Sequence, residues 1–359
     1  MHVLIGILGL ITLLLVANDL LWTTFLEGAG PISRRVNRFA ARRLLWIHKR
    51  GKTRRAITKT GLVNVVSTLA LWSAMLWGGW AMVFNSGPRA VVFSSTERPA
   101  TVSERIYFAG YTLSTLGLGE FRPLGTFWQI LTAFAAGSGF VLVGLAVAYI
   151  VPVISAATQK RQVAVCIWSL GRSPDEIIMR AWNGVDTTAL GPHLVQLTAL
   201  LALLGESHLT YPVLHYFHSS KRSSAVAPSV AALDEALTIL ECGLEKGCSL
   251  DLPALGAARE SISEFLRTLN PALIEAVEDA PPAPSLASLR QAGIPVVDDQ
   301  LFQEAVAYLA PRRRLLLALV HNEGWRWEDV WPPDGPMPID SSMGEFGPRQ
   351  SAAPEKRLF

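Results

Sequence analysis

Cysteine is scarce. Three occur in 359 residues, Cys166, Cys242 and Cys248, and none forms a Cys-x-x-Cys pair. So sparse and odd a set argues against a disulfide framework and fits reduced thiols in a cytosolic domain. Charge is thin as well. Only 17% of residues are charged, and 32 basic against 29 acidic side chains leave a formal net charge of +3. The chain as a whole is therefore no polyanion binder. Gly-x-Gly-x-x-Gly, the P-loop, His-Glu-x-x-His and Gly-x-Ser-x-Gly are all missing, and with them the signatures of dinucleotide binding, nucleotide hydrolysis and two hydrolase classes. No catalytic residue, metal site or cofactor is assigned, and an enzyme is not expected. No helix carries Arg at every third position, so a voltage sensor is not expected either. There is no strand series, which leaves an all-α class.

Apolar length is what the chain has. Half of its residues are hydrophobic, concentrated before about Ser155. Residues 3–22 are long enough to span a bilayer. Only His2 precedes them, without the basic lead of a signal peptide, so a retained helix is expected. Asn18 and Asp19 fall near its end, where a helix terminus at the interface with Trp22 as anchor is expected. Residues 62–84 make a second span, and residues 127–154 a third. Between these two, residues 85–103 read as an exposed loop. Residues 104–114 are too short to cross and suit a re-entrant helix.

The segment from Ser33 to Lys59 is strongly basic: Arg34, Arg35, Arg38, Arg42, Arg43, Lys49, Arg50, Lys52, Arg54, Arg55 and Lys59. Val36, Phe39, Ala40, Leu44 and Ile47 share one helical face, which suits a helix lying on anionic lipid. Nucleic acid is the rival reading of such a run, but its place between two spans favours lipid, and no nucleic-acid partner is expected.

After the re-entrant segment comes Thr115-Leu116-Gly117-Leu118-Gly119-Glu120. A backbone that turns successive carbonyls toward one axis needs conformations that glycine adopts easily. Rings of such carbonyls, one loop from each of four chains, can replace the water around a bare cation. With Thr112, Leu113 and Ser114 before it, this stretch resembles the pore-loop signature of potassium channels, in their bacterial two-transmembrane form. The resemblance covers residues 62–154. It implies that the Thr115 hydroxyl and the carbonyls of Thr115, Leu116, Gly117 and Leu118 line a selectivity filter closed by Gly119, with Glu120 at the outer mouth. It also implies a homotetramer, K+ as the permeant ion and a gating hinge at Gly139, with Pro152 bending the helix near the inner mouth. Two positions depart from the pattern: Leu118 replaces the usual aromatic brace, and Glu120 replaces Asp. A weakly selective channel that also passes Na+ is therefore the first alternative. A membrane-anchored sensor or interaction protein that does not conduct is the second. For Gly139, hinge and helix packing weigh equally, and for Gly137 and Gly144 packing is expected.

Charge bias gives orientation independently of the filter. A cytoplasmic basic segment places the re-entrant loop outside and returns the last span inward, to end at Gln159-Lys160-Arg161. That orientation suits a multi-pass protein of the cell's inner (plasma) membrane with a cytoplasmic C-terminal domain.

The C-terminal part is expected to be helical. Ser173-Pro174-Asp175-Glu176 reads as a helix start with Ser173 as cap. Residues 192–206 are Leu-rich but too short to span. Val230, Leu233, Leu237, Leu240 and Leu244 form one apolar stripe, and Ile262, Phe265, Leu266 and Leu269 another. Residues 300–320 form a helix that Pro311 breaks or kinks, and residues 280–285 are a linker. His208, His215 and His218 read as partly exposed histidines rather than metal ligands. The parts run 1–32 (N-terminal transmembrane helix), 33–60 (basic segment), 61–158 (pore domain), 159–331 (helical cytoplasmic domain) and 332–359 (disordered tail). The expected fold is an all-α integral membrane pore domain followed by an all-helical cytoplasmic domain, with an unknown regulatory ligand.

Overall fold

Each apolar run becomes a helix in the computed structural model of the chain. The structure describes residues 2–25, 28, 30–37, 39, 59–245, 247–248, 252–269 and 277–331. The basic segment beyond residue 39, Lys59 excepted, and the tail at 332–359 lie outside the described residues. In chain order the membrane part comprises α1 (His2–Phe25), α2 (Thr60–Asn85), β1 (Val91–Phe93), α3 (Val102–Leu113), β2 (Phe121–Pro123) and α4 (Thr126–Leu170). The C-terminal part adds α5 (Pro174–Ala181), α6 (Gly191–Thr210), α7 (Val226–Cys242), α8 (Leu252–Thr268), α9 (Ala287–Gln291), α10 (Asp299–Tyr308) and α11 (Ala310–Asn322). Among the described residues four helical segments are long and apolar enough to cross a membrane: α1, α2, α4 and Thr188–Thr210, the last being longer than the Leu-rich run at 192–206 expected to be too short.

α1 and α2 pack as an antiparallel pair. Asp19 is buried between them. Its carboxylate accepts from Trp72 Nε1 at 2.9 Å, from the backbone of Ile32 at 2.8 Å and Ser33 at 3.2 Å, and from the Ser33 hydroxyl. Asp19 thus lies inside α1 rather than at its end, and faces protein. A carboxylate in an apolar layer must find donors, and Asp19 finds them by drawing the chain at 31–33 back against α2.

The first core is aromatic. Trp72, Trp80 and Phe84 of α2 meet Phe108 and Tyr111 of α3, Phe121 of β2, and Tyr149 and Val153 of α4. β1 pairs antiparallel with β2, setting Val91 opposite Pro123 and Phe93 opposite Phe121. Val91 and Val92 are fully buried, so the loop expected to be exposed over 85–103 is anchored at its strand, while residues 95–99 and 101–103 are exposed as expected.

α4 runs 45 residues without interruption, through Pro152 and past Thr158. At 1.5 Å per residue it is about 67 Å long, roughly twice the ~30 Å hydrocarbon layer. Its final turns place Val163, Ala164 and Ile167 in the second core. Lys160, expected as a basic flank at a span's end, is instead buried inside this helix.

The second core is built around α7, in which every residue from 226 to 240 is buried. A helix apolar on all sides belongs inside. Its two buried acids are neutralised there: Arg312 and Arg259 reach Asp234, and Arg313 reaches Glu235 at 2.7 Å. The expected stripes at Val230–Leu244 and Ile262–Leu269 are in this core. α6 is longer than its Leu-rich run, and Leu194, Leu197, Leu201 and Leu204 pack in the same core, beside α8. Pro311 separates two helices, α10 and α11, rather than kinking one. Ser173 makes no side-chain cap bond; its hydroxyl turns to Asp175 instead.

Candidate functional site

The site grows from the end of α3. Thr101 and Glu104 close a capping box at the start of that helix, and Arg98 grips Glu104 with two hydrogen bonds of 2.9 and 2.8 Å. A start so well determined fixes the course of α3, whose negative dipole end lies at Leu113. There the helical pattern gives way to a turn: Thr115 N donates to Thr112 O at 3.0 Å and Leu116 N to Tyr111 O at 2.9 Å.

The backbone then alternates. Thr115 has φ +57°, Gly117 +56° and Gly119 +80°, while Leu116 and Leu118 between them stay at negative φ. Such alternation in the sign of φ, with glycine at two of the three positive positions, is backbone that extended strand and helix do not supply. A Cβ at Gly117 or Gly119 would touch nothing within 4 Å. Conformation, not crowding within the chain, calls for glycine there. Thr115 is β-branched and adopts the same left-handed region at about 1–2 kcal/mol. Strain of this size concentrates at functional positions.

The C-terminal flank of the loop is tied down. The Ser94 hydroxyl donates to Gly119 O at 2.6 Å, Ser94 N to Glu120 O at 2.8 Å, and the Tyr111 hydroxyl to Phe121 O at 3.0 Å. Leu116 and Leu118 project outward, 63% and 47% exposed. Glu120 is exposed, beside the Arg122–Glu97 ion pair.

Thr115 to Glu120 thus form one loop, and Gly139 lies at its base. A Cβ on Gly139 would sit 2.0 Å from Leu113 O, so α4 crosses α3 in direct backbone contact. This is close packing at Gly139. Gly137 and Gly144 do not take the packing role expected of them within the chain, since a Cβ at either meets nothing within 4 Å. Pro152 stands apart, thirteen residues or about 20 Å further along α4. Its missing N–H leaves the Ala148 carbonyl without its usual helical donor.

Sequence reasoning missed Tyr111 and Ser94. A hydroxyl on the buried face of α3 was a signal for Tyr111. Nothing local marks Ser94, whose bond spans 25 residues. It also missed a charged junction toward the C-terminal end of α4. There Lys160 meets Glu323 at 2.6 Å and donates to Phe217 O at 2.9 Å. His208 and His215 lie in the same region with ring centroids 5.0 Å apart, and both are buried rather than partly exposed. Burial and the Lys160 charge push His215 down to about 4. Among the described residues no group of His, Cys, Asp or Glu is placed to hold a metal.

Residues 70–156, from within α2 through the loop and into α4, match a family described as "Ion channel". Over 326 residues the chain is 36% identical to the uncharacterized membrane protein YdjJ of Bacillus subtilis (strain 168), an alignment covering 89% of this chain and 94% of that protein. No solved structure matches significantly.

Proposed function

This chain belongs to the pore-loop ion-channel family, and from that premise we propose that Thr115–Gly119 is its selectivity filter and potassium its permeant ion. The observation that carries the reading is the alternating backbone at Thr115, Gly117 and Gly119. One strand of aligned carbonyls is a quarter of an ion cage, and three more copies around a closed axis complete it. The apolar side chains exposed along α4, among them Phe134, Phe140, Val143 and Val147, are the surface such copies and lipid would cover. Glu120 then stands at the outer mouth, where a carboxylate concentrates cations. The basic segment faces anionic lipid on the cytoplasmic side of the cell membrane, and the domain built on α7 lies in the cytoplasm.

A second reading, a weakly selective cation channel, is favoured by Leu118. Its side chain has no atom that can hydrogen-bond, so it cannot pin the filter to a neighbour in the way a polar or aromatic tip would.

The test is ion flux from liposomes holding wild type and Gly117→Ala, in potassium and then in sodium. An added Cβ at φ +56° is strained in every subunit. Flux should collapse while folding and assembly survive. Equal flux from both proteins would show that ions do not pass through this loop.

A further inference from the structure

The arch from Leu116 to Gly119 consists of two Leu and two Gly residues, so no side chain within it can hold its carbonyls in place by hydrogen bonding. The shape must be imposed from the flanks. Tyr111 is attached to both. Its backbone carbonyl accepts from Leu116 N at 2.9 Å, at the inner end of the arch. Its hydroxyl donates to Phe121 O at 3.0 Å, just beyond the outer end. The ring between these two bonds is fixed edge-on to Tyr107 and Phe108, with centroids 5.2 and 5.3 Å away. Tyr111 is only 6% exposed, so water does not compete for the hydroxyl.

We propose that Tyr111 is the positioning residue of the ion pathway, a single residue that clamps both ends of the carbonyl arch, the inner end through its backbone carbonyl and the outer end through its hydroxyl. The inference rests on the filter reading and deepens it. A cage of carbonyls separates ions of different size only while it resists shrinking onto the smaller one. An arch held at one end alone can shrink. Ser94 assists at the outer end, through its hydroxyl to Gly119 O and its backbone N–H to Glu120 O, but both of its bonds lie at that one end.

The experiment reads ion occupancy without requiring an open pore. A bound ion stabilises the folded assembly in proportion to its affinity. Thermal denaturation of the purified full-length oligomer is followed in rising KCl, in NaCl and in N-methylglucamine chloride. Wild type should be protected by potassium well ahead of sodium. Tyr111→Phe keeps the ring and removes the hydroxyl. It should need about tenfold more potassium for half-protection, with a smaller potassium-over-sodium margin and a nearly unchanged midpoint in N-methylglucamine. A purely structural Tyr111 would lower that ion-free midpoint and leave the ion response alone; this result, or superimposable responses, overturns the clamp and leaves the filter standing. Wild type indifferent to the cation overturns the filter reading, and the clamp with it. If Tyr111→Phe does not assemble, 4-aminophenylalanine and 4-methylphenylalanine at position 111 make the same comparison. The amino group restores a donor and should restore the potassium response, whereas the methyl group should not. Equal responses from the two refute the clamp.

Discussion

The Lys160 ammonium lies 2.6 Å from a carboxylate oxygen of Glu323, and both side chains are almost wholly enclosed. Lys160 belongs to the helix that carries Gly139 and Pro152, and Glu323 follows the end of α11. The ion pair therefore fastens the long helix to the far side of the C-terminal domain. Burial acts to raise the Glu323 carboxyl, but Lys160, His218 and the Ala227 N–H together hold it below its ordinary value.

Removing one partner should leave the other charged and buried. Lys160→Met is expected to destabilise the C-terminal domain by about 3–5 kcal/mol, and the double variant Lys160→Met, Glu323→Leu to regain most of that loss. Denaturant unfolding of the full chain, followed by circular dichroism, measures both. Additive losses in the double variant would show that the two side chains do not interact.

His215 sets a pH dependence. Its folded-state value is pushed down to about 4, first by burial and then by Lys160, while the unfolded chain protonates near 6.5. As pH falls through 6.5 the unfolded state takes up a proton that the folded state refuses. Stability from this group is thus complete above 6.5 and falls by up to about 1.4 kcal/mol per pH unit down to about 4. Glu323, held low, adds a loss in the same direction only below its unfolded value of 4.5. Thermal midpoints at pH 7.5, 6 and 5 should fall for wild type and fall less steeply for His215→Gln. Parallel slopes would count against the assignment.

Gly139→Ala should displace α3 from α4, because its Cβ would sit 2.0 Å from Leu113 O, against backbone that cannot swing aside. The expected result is lost flux with a lowered assembly midpoint. Gly144→Ala, with open space around its Cβ within the chain, should leave the fold of each subunit intact. Comparable circular dichroism melts for the two variants would rule out the close crossing.

Leu237 is fully buried in α7. Leu237→Asp places an unpaired carboxylate in the second core, which should exceed about 4 kcal/mol and unfold that domain. Limited proteolysis reads this directly, since cleavage should begin after α4. A variant as resistant as wild type would show that Leu237 is not core.

The spans, the re-entrant helix, the loop and the two apolar stripes were legible in the sequence because each is a local matter of run length, period or glycine placement. The left-handed Thr115 was not, since a β-branched residue by itself favours extended backbone. Nor were Asp19 with Trp72, Tyr111 with Phe121, or Lys160 with Glu323. Each joins polar groups that only the packed helices bring together, and no periodicity records such a meeting. His215 was misjudged for the same reason: a polar residue beside aromatics looks half-exposed until the element covering it is in place.

An unbroken helix of 45 residues is also a lever. Its fulcrum is the backbone contact between Gly139 and Leu113, where there is no side chain to compress. From there Lys160 lies about 32 Å out and Leu170 about 46 Å out. A tilt of about 5° would swing Lys160 through about 3 Å and Leu170 through about 4 Å by that same length scale. Displacements of that size exceed what a 2.6 Å ion pair tolerates. The C-terminal domain must then travel with the arm as a rigid weight, or the arm must give at Pro152, between fulcrum and load.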